Sequence, residues 1–123
     1  DIVPVANAAG NRFLIGLDYD NNQSQMRTDS GSFTTQSFTA DEPTGNILAT
    51  VQRVSDTVTL FHQGSSESTF SVTGSSFTLA SFGQRTPSVF SQHLINEIII
   101  YASDQSANRP AIEANINNQY DIY

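Results

Sequence analysis

The chain has 123 residues, one domain's worth, enough to bury roughly two thirds of its unfolded surface. Its net charge of −7, with Arg12, Arg27, Arg53, Arg85 and Arg109 scattered singly among twelve acids, lacks the clustered cations that nucleic acids and anionic membrane surfaces require. Cysteine is absent, which removes disulfides and thiolate metal sites, and no apolar stretch approaches the ~20 residues of a membrane-spanning helix.

The opening "DIVPVANAAG" has neither a basic n-region nor an apolar h-region, so no signal peptide is visible. A start at Asp1 implies a processed product, an excerpt, or sequence upstream of it. "RFLIGLDY" (Arg12 to Tyr19) reads as a buried strand and "DNNQSQ" as the turn after it. "SFTTQSF" (Ser32 to Phe38) is a weaker strand, because Phe33 and Phe38 fall out of phase. Pro43 stops the loop "ADEPTG".

The centre of the chain carries the clearest alternation. In "NILATVQRV" (Asn46 to Val54), Ile47, Ala49 and Val51 share a face; in "TVTLFHQG" (Thr57 to Gly64), Val58, Leu60 and His62 do. Only Ser55-Asp56 separates the two runs, which predicts a hairpin without the usual glycine. "SFTLASFG" (Ser76 to Gly83) is a further strand. "HLINEIIIY" (His93 to Tyr101) is the last, and Ile98, Ile99 and Ile100 leave no polar position between them, as in an interior strand covered on both faces.

The final segment changes period. Ile112, Ile116 and Tyr120 recur every four residues on one helical face. Pro110 disfavours helical geometry before it, so the helix is predicted to start near Arg109 or Pro110 behind Asn108 or Arg109. "SDQS" (Ser103 to Ser106) forms a separate turn, with Ser103 or Asp104 capping free amides. Six or so strands at intervals near ten residues, with no repeat or linker, predict one all-β antiparallel domain over 1–123, a sandwich or barrel with one short C-terminal helix.

"EIIIYASDQSANRPAIEANINNQYDIY" (Glu97 to Tyr123) resembles the C-terminal signature of concanavalin A-like, laminin-G-like jelly-roll domains. These occur in bacteriophage structural proteins and in secreted proteins of aquatic bacteria. The elements are "EIIIY", "SDQSANR", the helix with Ile112-Glu113 and Asn115 to Asn117, and the terminal aromatics Tyr120 and Tyr123. "NILATVQRVSDTVTLFHQGSSES" is similar to that family's central hairpin, with His62-Gln63-Gly64 in place of its Asn-Gly turn. The resemblance implies a jelly-roll sandwich and a non-enzymatic virion structural or decoration protein of a capsid, tail or fibre. It places the chain on a virion surface or outside the cell, in homo- or hetero-oligomeric contact with other assembly proteins. Its second implication is a carbohydrate-binding module, since jelly-roll lectins stack aromatics on sugar rings. Complete members carry strands before the position of "RFLIGL", so such strands are expected from a partner chain or from upstream.

Candidate chemistry is sparse. A retaining glycosidase needs two carboxylates about 5 Å apart, and jelly-roll glycosidases carry them at alternating strand positions. The strands offer only Glu97, so a glycoside hydrolase is a distant third reading and no catalytic residue is assigned. His62 and His93 have no G-x-S-x-G elbow or acid beside them, and His62 reads as an exposed rim residue. Arg109 is positioned to pair with Glu113, and Arg53 with Asp56. In "DYDNNQSQMRTD", Asp18, Asp20, Asn22 and Asp29 have oxygen spacing for calcium, the one cofactor the sequence suggests. Gln23 stands where a calcium loop of the EF-hand type needs glycine, so the segment also reads as a solvated hairpin turn. Calcium titration followed by thermal unfolding separates the two. A site raises the melting temperature at millimolar calcium, and a solvated turn leaves it unchanged.

Overall fold

A computed structural model of the chain describes residues 45–71 and 94–123 in full. It also describes the backbone of the strands at 2–8, 14–18, 23–27, 34–37, 79–81, 84–86 and 89–90. The described elements are antiparallel strands followed by one C-terminal helix, as the periodicity predicts.

β1 (Ile2–Ala8), β2 (Leu14–Asp18), β3 (Gln23–Arg27), β4 (Thr34–Ser37) and a later strand form a five-stranded sheet. Ile2 to Ala8 is therefore a strand that precedes "RFLIGL", where none was expected within this chain. The register of β1 on β2 shifts between Pro4 and Ala6. Proline has no amide to donate, and a bulge is where a sheet accommodates that loss. β2 and β3 pair from Asp18↔Gln23 to Leu14↔Arg27, so much of the expected "DNNQSQ" turn is the start of β3.

β5 (Ala49–Val54), β6 (Thr57–His62) and β7 (Ser65–Ser71) form a three-stranded meander. Its first hairpin turns on Ser55-Asp56 as predicted, with Ser55 left-handed at φ 53°. Arg53 holds the turn: Nε donates to the Ser55 carbonyl at 2.8 Å, and the guanidinium lies 3.8 Å from Asp56. The second hairpin turns on Gln63 (φ 49°) and Gly64 (φ 77°), positive at both positions as a type I′ turn requires. Gln63 thus replaces the customary asparagine. Its Oε1 accepts from the Leu48 amide at 3.0 Å, and its own amide donates to the Leu48 carbonyl at 2.9 Å. β7 carries one bulge. Leu60 faces Ser68 and Phe61 faces Ser66, leaving Glu67 as the additional residue. β8 (Leu79–Ser81) completes the first sheet beside β1, and β9 (Gln84–Thr86) pairs with β10 (Val89–Phe90).

The alternation read from "TVTLFH" sorts the core. Val58 and Leu60 are fully buried, with Phe70 opposite Val58 on the same face. Phe61, on the other face, is covered by the helix end described below. α1 (Arg109–Tyr120) begins at the predicted position, with Pro110 in its first turn, where a missing amide costs nothing. Asn108 occupies the cap position but makes no side-chain capping bond; instead its Nδ2 donates to Gln105 Oε1. Asp104 caps the preceding turn, accepting from the Ser106 amide at 2.8 Å. Ile112, Ile116 and Tyr120 are half-buried on one face, as their spacing predicts. The most buried residue of α1 is nevertheless Glu113.

Two expectations fail here. The run "EIIIY" is not an interior strand: residues 94–100 belong to no strand, and Ile98, Ile99, Ile100 and Tyr101 are exposed. A run of branched residues favours extended backbone, but a strand also needs a ladder partner. This segment is held by side chains instead, through Asn96 to Asn46 at 3.3 Å and Glu97 to the Tyr120 hydroxyl. His62, in turn, is not a rim residue but lies 5% exposed beside the core. It points to the buried side of β6 with Val58 and Leu60.

Burial lowers the His62 pKa below the ordinary imidazole value, while the Glu67 carboxylate pulls it upward. The native state therefore resists protonation more than the unfolded chain does. Stability is at its full value above the unfolded pKa of about 6.5 and falls as pH drops from there through the lower native value. Urea midpoints followed from about pH 8 to about pH 5 are expected to decline in that window, and His62→Gln to remove part of the slope.

Candidate functional site

The described part of the molecule offers two places where function is legible. The first is a cleft of about 260 Å³ between α1 and the Gln63-Gly64 turn, lined among others by Gly64, Arg109, Glu113, Asn118 and Tyr123. The second is the exposed apolar segment from Leu94 to Tyr101.

The cleft is built from the helix start. Arg109 projects over β6, its guanidinium carbon 3.8 Å from the centroid of the Phe61 ring, a cation–π geometry. The same guanidinium bonds Glu113 Oε2, one helical turn on, and its Nη1 lies 3.4 Å from the Gly64 carbonyl. One side chain thus joins helix, sheet and turn. Glu113 is 3% exposed, and its Oε1 has no hydrogen-bond partner. Carboxylates are rarely buried unless paired, so Arg109 is what makes this position tolerable.

The other wall comes from the last three residues. α1 ends in a left-handed Asp121 (φ 50°), whose amide donates to the Asn117 carbonyl at 2.7 Å. Asn117 then folds the tail back. Its Oδ1 accepts from the amides of Ile122 and Tyr123, and its Nδ2 donates to the Tyr123 carbonyl. Tyr123 is thereby laid across Gly64, with its hydroxyl 2.9 Å from where a Cβ would stand. No side chain fits at Gly64 without moving Tyr123, and its positive φ also favours glycine. Burial, and then the charge of Glu113, raise the Tyr123 pKa, with Arg109 opposing them.

Chemically the cleft presents a neutralised ion pair, a phenol and an amide. Such a surface recognises hydroxyls and amides through hydrogen bonds and an aromatic edge. The i,i+4 pairing of Arg109 with Glu113 was legible from spacing, but its burial under the turn was not. Asn117 carried no signal, because a helix-terminating asparagine looks like any polar residue of the exposed face.

Of the four calcium candidates, the described residues include Asp18 alone. Asp18 closes β2 at the hairpin end, while Asp20, Asn22 and Asp29 lie outside the described residues. β3 occupies Gln23 to Arg27 between Asn22 and Asp29. Among the described residues no three acidic or imidazole groups gather as a metal site would need, and no helix is long and apolar enough to cross a membrane. His93, the second of the two histidines, also lies outside the described residues. Compared with known proteins, the chain gives no match to a family model, to a curated protein or to a solved structure.

Replacing Arg109 tests the site's architecture. Arg109→Ala strips the ion partner from a buried carboxylate and is expected to cost about 3–5 kcal/mol in urea unfolding. The double change Arg109→Met with Glu113→Leu removes both charges and is expected to recover most of that loss.

Proposed function

We propose that this chain is a non-enzymatic structural or decoration protein of a virion or extracellular surface, whose role is contact with neighbouring subunits. The supporting observation is the segment from Leu94 to Tyr101. Six large apolar side chains crowd into eight residues and stay exposed on an otherwise polar, acidic chain. Contiguous apolar surface of this kind marks a protein contact on soluble domains. The segment is also tied to the body of the molecule at Asn96 and Glu97, so it is presented rather than loose.

The finer fold belongs to the same proposal. The sequence resemblance favours a concanavalin A-like, laminin-G-like jelly-roll sandwich, and antiparallel sheets are the ingredients that such a sandwich uses. Calcium bound by Asp18, Asp20, Asn22 and Asp29 would belong to loops of that fold.

A second reading, a carbohydrate-binding module, is favoured by the cleft. Its volume accommodates about one sugar ring, and Tyr123 and Asn118 supply the aromatic and polar contacts that glycans use.

Fractionation of the source material decides between the two. A surface component sediments with large particles, is labelled on their exterior by antibody, and shows amides 94–101 protected from hydrogen exchange. Recovery solely as a free, stable monomer that binds a glycan array, with binding lost in Tyr123→Ala, would overturn the structural role in favour of glycan recognition.

A further inference from the structure

The exposed segment also indicates what covers it. Leu94 is 95% exposed, Ile95 54%, Ile98 46%, Ile99 44%, Ile100 61% and Tyr101 50%. We propose that a second copy of this chain lays the same segment antiparallel across it, about a two-fold axis at Ile99. This rests on the assembly reading above and names its partner.

The area fits a pair. Six side chains exposed to this degree present several hundred Å² of apolar surface, as large as the contact patches of monomers. Two such patches pressed together reach roughly the 1,000 Å² that separates a specific interface from an adventitious one. The symmetry fits as well. A two-fold interface must be complementary to itself, residue i meeting j while j meets i. With the axis at Ile99, that residue faces its own copy, Ile98 faces Ile100, and Glu97 faces Tyr101, so no acid opposes an acid. Glu97 is the one carboxylate in the segment, and its own Tyr120 hydroxyl already engages it.

Branched side chains favour the extended backbone that such pairing needs, and residues 94–100 form no ladder with any described strand. The ties at Asn96 and Glu97 hold part of the segment in place before association, reducing the ordering cost. Charge sets the sign of the salt effect. Two chains of −7 repel at long range while the contact itself is apolar, so added salt strengthens the pair. A foreign basic partner would behave in the opposite way.

Sedimentation equilibrium of the whole chain, at low and high salt over a wide concentration range, tests this. The expected result is a dimer that tightens with salt and is weakened at least about thirtyfold by Ile99→Lys, the loss typical of a central interface residue. Circular dichroism of the variant is expected to match the parent, because Ile99 is exposed in the single chain. Since the chain has no cysteine, single substitutions Ile98→Cys and Ile99→Cys give an independent readout. Oxidation is expected to join two copies at the position nearest the axis. A chain monomeric at every concentration and salt, or a dimer indifferent to Ile99→Lys with no cross-link at either cysteine, overturns the proposal. If that monomer still sediments with particles and keeps amides 94–101 protected there, self-pairing alone has failed; if those amides stay unprotected in the particle, the assembly reading has failed with it.

Discussion

Arg109 is the contact on which the C-terminal third of the molecule depends. It lies flat on the Phe61 ring, bonds the buried Glu113 carboxylate and reaches the Gly64 carbonyl. A planar guanidinium can do all three because it stacks through its face and donates around its edge, which a lysine cannot. The pair as a whole adds little net stability over apolar residues of similar shape. Its effect is positional. It sets where α1 meets the sheet, and from that follow the cleft, the seat of Tyr123 and the placement of Tyr120 beside Glu97. The half-buried stripe of Ile112, Ile116 and Tyr120 is too thin to fix the helix in one orientation by itself.

Much of this arrangement can be read from the chain where local rules dominate. Strict alternation in "TVTLFH", the two-residue link at Ser55-Asp56 and the proline at position 110 each constrain the backbone within a few residues. The predicted hairpin and helix start agree with the structure at those points. The strand at Ile2–Ala8 was not read from the sequence, since Pro4, Ala6 and Ala8 interrupt its apolar pattern.

Legibility fails where the outcome depends on what lies across space. β7 was missed because its serines and threonines show alternation only through Phe70; its inward partner Ser68 is buried without being apolar. Glu113 looks like a solvent-facing residue until the Gly64 turn closes over it. His62 sits next to a turn in sequence, yet its strand position sends it inward with Val58 and Leu60. For "EIIIY" the composition says that apolar cover is needed, but not whether the cover comes from the same chain. Local hydrophobicity states a requirement, and only topology says how it is met.

The bulge at Glu67 has a bearing on how one margin of the sheet meets other chains. β7 is one of the two outer strands of its sheet, and outer strands offer unpaired backbone groups to any passing chain. The additional residue throws the spacing of those groups out of step halfway along, on a strand that otherwise carries serine, threonine and one phenylalanine. An incoming strand finds no continuous ladder there and little apolar surface to reward it. That margin of the sheet is thereby kept quiet by its own backbone spacing rather than by charge.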